Sequence, residues 1–448
     1  MSGASGIGVK SPISNYSAAI SEMFPRPNKT RMIESSIASK QDVDILPINA
    51  GFDNKITDKY VEFRVPKAHN SFIDLSSLSL EVKLRVTKSD GAALTEDDKL
   101  VFVNGLRHTL FKSASVFLNG VQVENNFMYN YSALLKLFTS LNPHHIGKLG
   151  RNAFFYRDEK GSGIIDKYQE SYFTNMNKLE RSTVARIKDD GLHLCGPLLL
   201  DLCGLDSYLL DEVDVNIRLE FTSPSFIINT HLDGSAYKVN IDLCKLWVTR
   251  VFPQPDAMIA LNASLSEPGS FVDYIYNKTI TKSYVIGGNQ RSISVDLPWG
   301  NCIPSKIYMA LVDMEAFSGV YDKNPLFLRH ADLNGLSVSV NGRSLYNFTV
   351  SLPKEFASLY HYTLKALGIH QHHLISYDAF TEGRMVIALD LLAEDVKEAV
   401  DPEYTGNLRI NMTFSNASAS NRMLLLFGDT QGILRINSDR QIYSDVRA

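Results

Sequence analysis

Apolar and polar residues alternate along much of this chain. In the segment 78–86 every other residue is apolar, which places one face of a strand on a core and the other in water. The same alternation recurs in seven further segments: 61–65, 115–118, 215–221, 293–297, 307–311, 336–340 and 408–412. Strands at this density, separated by Gly, Asn, Asp and Pro, predict an all-β sandwich or barrel.

Helical patterning is confined to short pieces, chiefly 129–141 and 355–367. The strongest apolar run, 423–427, has the length of one strand, whereas a membrane span needs roughly 18 apolar residues. The N-terminal residues lack the basic-then-apolar order of a signal peptide. We therefore expect a soluble protein that is not exported through a signal peptide.

An internal repeat relates the two halves of the chain. Residues 106–120 align without a gap on 328–342, at an offset of 222 and with seven of fifteen positions identical. Further pairs follow in the same order: 61–66 with 293–298, 131–136 with 360–365, 200–202 with 389–391, and 215–221 with 408–414. The repeat predicts two duplicated all-β units of about 200 residues each.

The predicted fold is a double jelly roll of two tandem eight-stranded antiparallel sandwiches, with short helices in the loops. The first roll is assigned to residues 46–253 and the second to 254–448, with the seam at 253–255. Asn119-Gly120 and Asn341-Gly342 are expected to form the same hairpin turn in both rolls. The offset between matching residues shrinks from 222 to about 190 in the C-terminal part of the repeat. This decrease indicates an insertion at about 142–186 in the first roll.

Residues 1–45 are rich in Ser, Ala, Gly and Asn and show little periodicity, which predicts a flexible N-terminal arm. Positions 1–40 hold five basic and two acidic residues, a net charge of +3. The basic residues of this arm are the candidate inner-surface or DNA-facing residues: Lys10, Arg26, Lys29, Arg31 and Lys40. The whole chain has a formal charge of -4, so nucleic-acid binding over its entire surface is excluded.

No catalytic motif is found in the sequence. A nucleophile elbow, a phosphate-binding loop, a dinucleotide fingerprint and a zinc-protease motif are all absent. The four cysteines form no C-x-x-C pair, and we expect them to be buried small apolar residues. His370-Gln371-His372-His373 has an H-x-H spacing found in metal-binding jelly rolls, but it follows a helical stretch and Gly368, which favours a polar loop. We expect no enzyme activity and no catalytic, metal or cofactor-binding residues.

Several segments resemble the double jelly-roll major capsid (hexon) proteins of Polinton/Maverick-type elements and adintoviruses. The resemblance covers most of residues 60–440 and is carried by 73–76, 110–120, 291–295, 311–325, 406–410 and 426–436, most specifically around Lys323-Asn324-Pro325. It implies a structural protein of the virion that forms pseudo-hexagonal homotrimers. These trimers would tile an icosahedral shell around double-stranded DNA, with penton and minor capsid proteins as further partners.

The sequence leaves two alternatives open. The first is a glycan-acting double-jelly-roll enzyme or lectin, for which the sequence offers no signal peptide and no credible catalytic pair. The second is a minor capsid protein, against which the duplication argues. If the capsid interpretation is correct, the aromatic-rich insertion is expected to lie at the outward end of the capsomer and to contact a neighbouring subunit.

Overall fold

The computed structural model describes residues 36–51, 56, 58–95, 98, 100–140, 153–155, 191–230, 237–267, 270–350, 356–368, 375–392 and 405–444. The strands of the first half are β1 (Ile37–Ile45), β2 (Tyr60–Val65), β3 (Phe72–Lys88), β4 (Leu100–Phe102), β5 (Phe111–Leu118), β6 (Val121–Asn126), β7 (Leu192–Pro197), β8 (Val215–Phe221), β9 (Ile228–Thr230) and β10 (Tyr237–Pro253). The strands of the second half are β11 (Phe271–Ile286), β12 (Ser292–Asp296), β13 (Lys306–Asp313), β14 (Leu333–Val340), β15 (Arg343–Thr349), β16 (Val386–Asp390), β17 (Leu408–Phe414), β18 (Arg422–Asn437) and β19 (Ile442–Ser444).

The helices are short. They are α1 (Leu106–Thr109), α2 (Tyr129–Ser140), α3 (Pro224–Ile227), α4 (Pro255–Leu265), α5 (Met314–Ser318), α6 (Ala357–Leu367) and α7 (Tyr377–Glu382), with a 3-10 turn at Asp201–Gly204. The two longest predicted helical stretches are confirmed as α2 and α6. None of the helices in the described ranges is long and apolar enough to span a membrane.

The first half folds into two facing four-stranded antiparallel sheets, ordered β1-β10-β3-β7 and β2-β8-β5-β6, with β4 and β9 as a separate two-stranded ribbon. The second half repeats the arrangement as β11-β18-β13-β16 and β12-β17-β14-β15, with β19 added beside β18. Strands β4, β9 and β19 lie outside the eight strands that the two halves share. When these eight strands are numbered 1 to 8 in chain order within each half, the two sheets of both halves have the orders 1-8-3-6 and 2-7-4-5. This order is that of an eight-stranded jelly roll, and the fold class predicted from the repeat is confirmed.

The two Asn-Gly dipeptides occupy the same position in both rolls. Asn119 lies between β5 and β6 and Asn341 between β14 and β15, and both adopt positive φ, 47° and 52°. Each Asn side chain accepts a hydrogen bond at 2.8 Å from a backbone N–H next to the seventh strand of its roll, from Asp214 and Asn407 respectively. Asn tolerates the left-handed conformation that this turn requires. Both rolls therefore share the turn and the hydrogen bond from the Asn side chain to the seventh strand, which we call the clamp.

The predicted arm is too long at its C-terminal end. Residues Ile37–Ile45 form β1, which pairs in antiparallel register with β10 along the edge of the first sheet. This strand was missed because an edge strand pairs on one side only, and the residues of β1 are mostly exposed and polar. The predicted seam at 253–255 falls between the end of β10 and the start of α4, a helix that the alternation did not indicate. Of the insertion at 142–186, only residues 153–155 are described.

Candidate assembly surfaces

Helix α2 lies between the two rolls. It follows β6 of the first roll, and every one of its residues from Tyr129 to Leu135 is buried. Its side chains Leu134, Leu135 and Phe138 face the sheet β11-β18-β13-β16 of the second roll. The helix is thus a part of the first roll that completes the core of the second.

Aromatic contacts fix the orientation of α2. The ring of Tyr131 stacks on Phe317 with centroids 5.7 Å apart, and its hydroxyl donates to the carbonyl oxygen of Pro325 at 3.1 Å. The Arg384 guanidinium lies 5.4 Å from the centroid of Phe138. These partners belong to the second roll, so the seam combines apolar burial with directional contacts that select one orientation.

The surface that receives α2 is apolar. It consists of Tyr308 and Ala310 on β13, Leu425 and Phe427 on β18, and Val386 on β16, and we call these five residues the covered patch. Tyr308 pairs with Phe427 and Ala310 with Leu425, so the four share one face of the sheet. Because α2 covers this face and the core covers the other, residues 423–427 are buried without alternation.

A buried group of charges lies beside this seam. The Glu124 carboxylate accepts backbone N–H bonds from Asp201 at 2.9 Å and from Leu202 at 3.1 Å. The Asp201 carboxylate accepts from Lys136 Nζ at 2.6 Å and from the backbone N–H of Thr279 in β11 at 2.8 Å. Asp201 therefore connects α2, its own turn and the first strand of the second roll.

Burial dominates the protonation of this group. Burial is the main cause that raises the pKa of Glu124 to about 7, with the nearby Asp201 carboxylate acting in the same direction and Lys136 opposing the rise. Burial also raises the pKa of Asp429, to about 6, although Tyr308 donates a hydrogen bond to its carboxylate at 2.9 Å. Carboxylates outnumber ammonium groups at this site, so part of the negative charge is removed by protonation near neutral pH.

A second connection joins the far end of the chain to the first roll. The Arg440 guanidinium pairs with the Asp211 carboxylate and donates from Nε to the Asp211 carbonyl oxygen at 2.9 Å. Asp211 also lies within 4.8 Å of ligand atoms of His69 and Glu212, a set with metal-ligand chemistry. Asp211 is already held by Arg440 of the second roll, and His69 Nδ1 lies 2.9 Å from the Glu212 carboxylate, so the three side chains have protein partners.

The first roll contains the same patch with different chemistry. Strand registers and the 200–202/389–391 repeat place Ala310, Leu425 and Val386 at the positions of Ser79, Trp247 and Pro197, and the same outer face of the first roll continues with Glu81 and Lys245. We call these five first-roll residues the open patch. Its neighbours in the strands, Leu80 and Leu246, are fully buried, so the patch faces away from the core.

The open patch is polar and partly exposed. Trp247 Nε1 donates to Glu81 at 2.7 Å, and His193 Nε2 lies 2.9 Å from the other Glu81 oxygen, with the His193 side chain 56% exposed. The bond from Trp247 lowers the pKa of Glu81, with a smaller contribution from His193. Lys245 pairs with Asp44 of β1 at 3.0 Å, and Cys195 beside Glu81 is exposed.

Helix α6 is the second-roll counterpart of α2, since each follows the fifth strand of its roll. Unlike α2, it has an open face. His361, Tyr362 and Lys365 are exposed, while Leu359 and Thr363 pack on its own roll. One face of α6 is therefore solvated in the single chain.

Only one of the predicted arm residues lies in the described part of the chain. Lys10, Arg26, Lys29 and Arg31 lie outside the described residues, as do His370–His373. Lys40 lies on β1, where its Nζ donates to the Tyr208 hydroxyl at 2.7 Å, so it is a strand residue and not part of a flexible arm. The seam residues were not predicted, although the uninterrupted apolar run 423–427 carries a signal for a strand covered on both faces.

Solved structures similar to this chain include viral major capsid proteins. A chain of the Sputnik virophage is 11% identical, with a TM-score of 0.61, covering 99% of this chain and 94% of that one. The mavirus major capsid protein is 10% identical, with a TM-score of 0.55 and coverages of 100% and 97%. The Faustovirus major capsid protein is 9% identical, with a TM-score of 0.55 and coverages of 93% and 93%.

The chain has the double jelly-roll fold of viral major capsid proteins. No protein-family profile matches its sequence. A curated relative, the uncharacterized protein F54H12.2 of Caenorhabditis elegans, is 19% identical over 299 residues, which is 63% of this chain and 66% of that protein. The chain thus spans just under two thirds of the length of that relative. The similarity to Polinton and adintovirus hexons remains a prediction.

Proposed function

We propose that this protein is a structural major capsid protein of a virion. Its homotrimers form pseudo-hexagonal capsomers that tile an icosahedral shell around double-stranded DNA. The observation that carries the proposal is the pair of jelly rolls with identical strand order, joined through α2 in one continuous core. The same architecture in the mavirus and Faustovirus major capsid proteins supports it.

The arrangement of the rolls supports a trimer. The contact between the rolls is head-to-tail, because α2 of the first roll meets a sheet of the second. Head-to-tail contacts generate rings when their rotation closes. Three chains supply six similar rolls, which is the number needed for a pseudo-hexagonal ring.

The proposed role requires no catalysis. The polar side chains buried at the seam are explained by packing, since Glu124, Lys136 and Asp201 bond one another or nearby backbone groups. Groups with these partners hold two rolls together and offer no nucleophile to a substrate. We therefore propose a non-enzymatic protein with no cofactor.

Oligomeric mass tests the proposal. Three chains of 50.1 kDa predict a species of about 150 kDa in mass photometry. A protein that stays at the mass of one chain at micromolar concentration contradicts the trimer. Electron microscopy of the same sample would then show no capsomer-like rings.

The N-terminal arm is proposed to act on the inner side of the shell, on neighbouring subunits, internal proteins or DNA phosphates. Lys10, Arg26, Lys29 and Arg31 would release counterions on meeting phosphate, so DNA affinity would fall steeply with salt. Because β1 starts at Ile37, the matched deletion removes residues 1–35. Trimers should persist and shell assembly should fail, and normal shells from the shortened protein would overturn this role.

The insertion at about 142–186 is proposed to contact a neighbouring subunit at the outward end of the capsomer. Penton and minor capsid proteins are proposed as further partners. Replacing residues 156–186 by a short Gly-Ser link leaves the buried segment 153–155 in place. The shortened protein should form a weaker trimer without unfolding either roll, and an unchanged trimer stability would contradict the contact.

A further inference from the structure

A polar cavity of about 590 Å³ opens at one end of the second roll. Its walls come from the connections between β13 and β14, between β15 and β16, and between β17 and β18, together with the start of β18. The volume lies within the range of small-molecule sites, roughly 300–1,000 Å³. The side chains that carry its chemistry are Arg329, Asp332, Thr381, Glu382, Ser418 and Arg422.

Arg422 is a buried cation that lines this cavity. The residue is 5% exposed, its Nη1 donates to the Ala331 carbonyl oxygen at 3.0 Å, and its guanidinium lies 5.0 Å from the centroid of the Phe414 ring. Within the described residues, Arg422 forms no ion pair with a carboxylate. A guanidinium has five N–H donors, and a buried charge is costly without a counter-ion. An anion in the cavity would supply that counter-ion.

A second guanidinium, that of Arg329, lines the same cavity. Its Nη1 lies 3.8 Å from Asp313 Oδ2, while Lys323 Nζ lies closer to the same oxygen, at 3.3 Å. Burial is the main cause that lowers the pKa of Arg422, and Arg329 lowers it further against the opposing effect of two nearby carboxylates. The two guanidinium groups therefore repel each other, and an anion bound by both would offset this repulsion.

The remaining lining indicates that a sugar carries the anion. Asp332 and Glu382 offer carboxylate oxygens that accept from hydroxyl groups, and Thr381 and Ser418 add hydroxyl groups of their own. A ligand rich in hydroxyl groups matches this set. The two carboxylates also disfavour a doubly charged phosphate. The lining thus fits a sugar with one negative charge, either a carboxylate or a sulfate.

The internal repeat shows that the same motif has a different role in the first roll. Residues 328–330 align with 106–108 in the gapless repeat, and both segments read Leu-Arg-His. In the first roll these residues begin α1, and the buried Arg107 donates to two carbonyl oxygens of β7. In the second roll the segment is not helical, and Arg329 lies at the cavity. The motif therefore serves internal packing in one roll and lines an open cavity in the other.

The cavity lies at the same end of the molecule as the predicted insertion. Neighbouring strands run antiparallel in both sheets, so the connections between strands 3 and 4, 5 and 6, and 7 and 8 of a roll share one end. The insertion lies between strands 5 and 6 of the first roll. The two rolls present this end side by side, because the backbone N–H of Thr230 donates to the Tyr321 carbonyl oxygen at 2.8 Å. If the insertion faces outward, so does the cavity.

We propose that this cavity binds an acidic saccharide, with Arg329 and Arg422 on its carboxylate or sulfate group. The site gives the outer end of the capsomer a means of attaching to acidic carbohydrate. The outward placement rests on the proposed capsid function, whereas the binding itself does not.

Saturation-transfer NMR on the full-length protein tests the site with four probes. Glucuronic acid carries the carboxylate, glucose 6-sulfate carries the sulfate, and glucose and glucose 6-phosphate are the controls. We expect binding of at least one of the two acidic sugars, and the probe that binds identifies the acidic group. No binding of either sugar overturns the proposal, as does equally tight binding of glucose or glucose 6-phosphate.

Variants test whether the two arginines hold the sugar. Arg329→Ala should weaken binding about tenfold or more, because it removes a charge-assisted hydrogen bond. Arg422→Lys keeps the buried charge but loses the planar fork, so it should also weaken binding while the fold is retained. Arg435→Ala removes a comparable ion pair with Asp273 from the opposite end of the second roll and should leave binding unchanged.

The outcomes separate this inference from the proposed function. An affinity that both Arg329→Ala and Arg422→Lys leave unchanged overturns the cavity as the site. Trimers in mass photometry without binding of either acidic sugar overturn the inference and leave the capsid function standing. Arginine-dependent sugar binding by a chain that forms no oligomer supports the cavity and contradicts the capsid function.

Discussion

The same outer face of the sheet differs in chemistry between the two rolls. In the second roll it is apolar and covered by α2, and in the first roll it is polar and partly exposed. The strand order, the Asn-Gly turn and its clamp are the same in both rolls. The difference indicates that a duplicated fold keeps its internal architecture while the outer face of each roll varies with what covers it in the chain.

Exchanging residues between the patches should produce the largest effect. Phe427→Lys buries an unpaired charge under α2 and should lower the free energy of unfolding by about 4 kcal/mol. Lys245→Phe, the reverse exchange in the open patch, should change it by less than about 0.5 kcal/mol. Urea unfolding at matched protein concentration measures both. Equal losses in the two variants would contradict the distinction between the patches.

Truncating one leucine on each helix should give the next largest effect. Leu135 in α2 is 7% exposed, so Leu135→Ala should cost about 2–4 kcal/mol. Leu364 in α6 is only half-buried in the single chain, and Leu364→Ala should cost about 1 kcal/mol or less. Urea unfolding of both variants provides the comparison. If Leu364→Ala costs the monomer as much as Leu135→Ala, the face of α6 is not open.

The buried charges predict that stability falls as pH rises. Glu124, with a pKa of about 7, and Asp429, with a pKa of about 6, hold their protons more tightly in the folded chain than in the unfolded one. Their contribution is complete below the unfolded values near 4 and is lost as pH rises through 6 and 7. The free energy of unfolding should therefore decrease by about 1–3 kcal/mol between pH 5 and 8.

Glu124→Gln tests the origin of this pH dependence. The variant should flatten the curve measured by urea unfolding at pH 5, 6, 7 and 8. Glu267→Gln, at an exposed carboxylate, is the matched control and should leave the curve unchanged. Stability that increases from pH 5 to 8 in the unmodified protein would show that the seam carboxylates do not retain their protons.

The duplicated turn should give the smallest effect and the same effect in both rolls. Asn119→Ala and Asn341→Ala each remove a clamp to the seventh strand and place alanine at positive φ. Each should cost about 1–2 kcal/mol in urea unfolding. A loss confined to one variant would mean that the two turns are not equivalent in energy.

The sequence indicated the elements that depend on local patterning. Alternation located most strands, and the gapless repeat around Asn119 and Asn341 predicted the double roll. Strand β1 was missed because its edge position leaves its residues polar and exposed. Helix α4 was missed because the Pro-Gln-Pro seam suggests a break in the chain, although Pro is well placed in the first turn of a helix.

The seam between the rolls could not be predicted from periodicity alone. The covered patch is assembled from three strands that begin at Lys306, Val386 and Arg422, and the helix that covers it ends at Ser140, more than 150 residues earlier along the chain. The bonds among Glu124, Lys136 and Asp201 depend on the same long-range packing. The sequence carries one signal of this difference. The continuous apolar run 423–427 indicates a strand covered on both faces, whereas the alternating run 78–86 indicates a strand covered on one face.

Cryo-electron microscopy of the purified full-length protein tests the central claim most directly. We predict trimers with six jelly rolls in a pseudo-hexagonal ring, in which first and second rolls alternate around the threefold axis. Single chains, or assemblies without a ring of six rolls, would contradict this prediction.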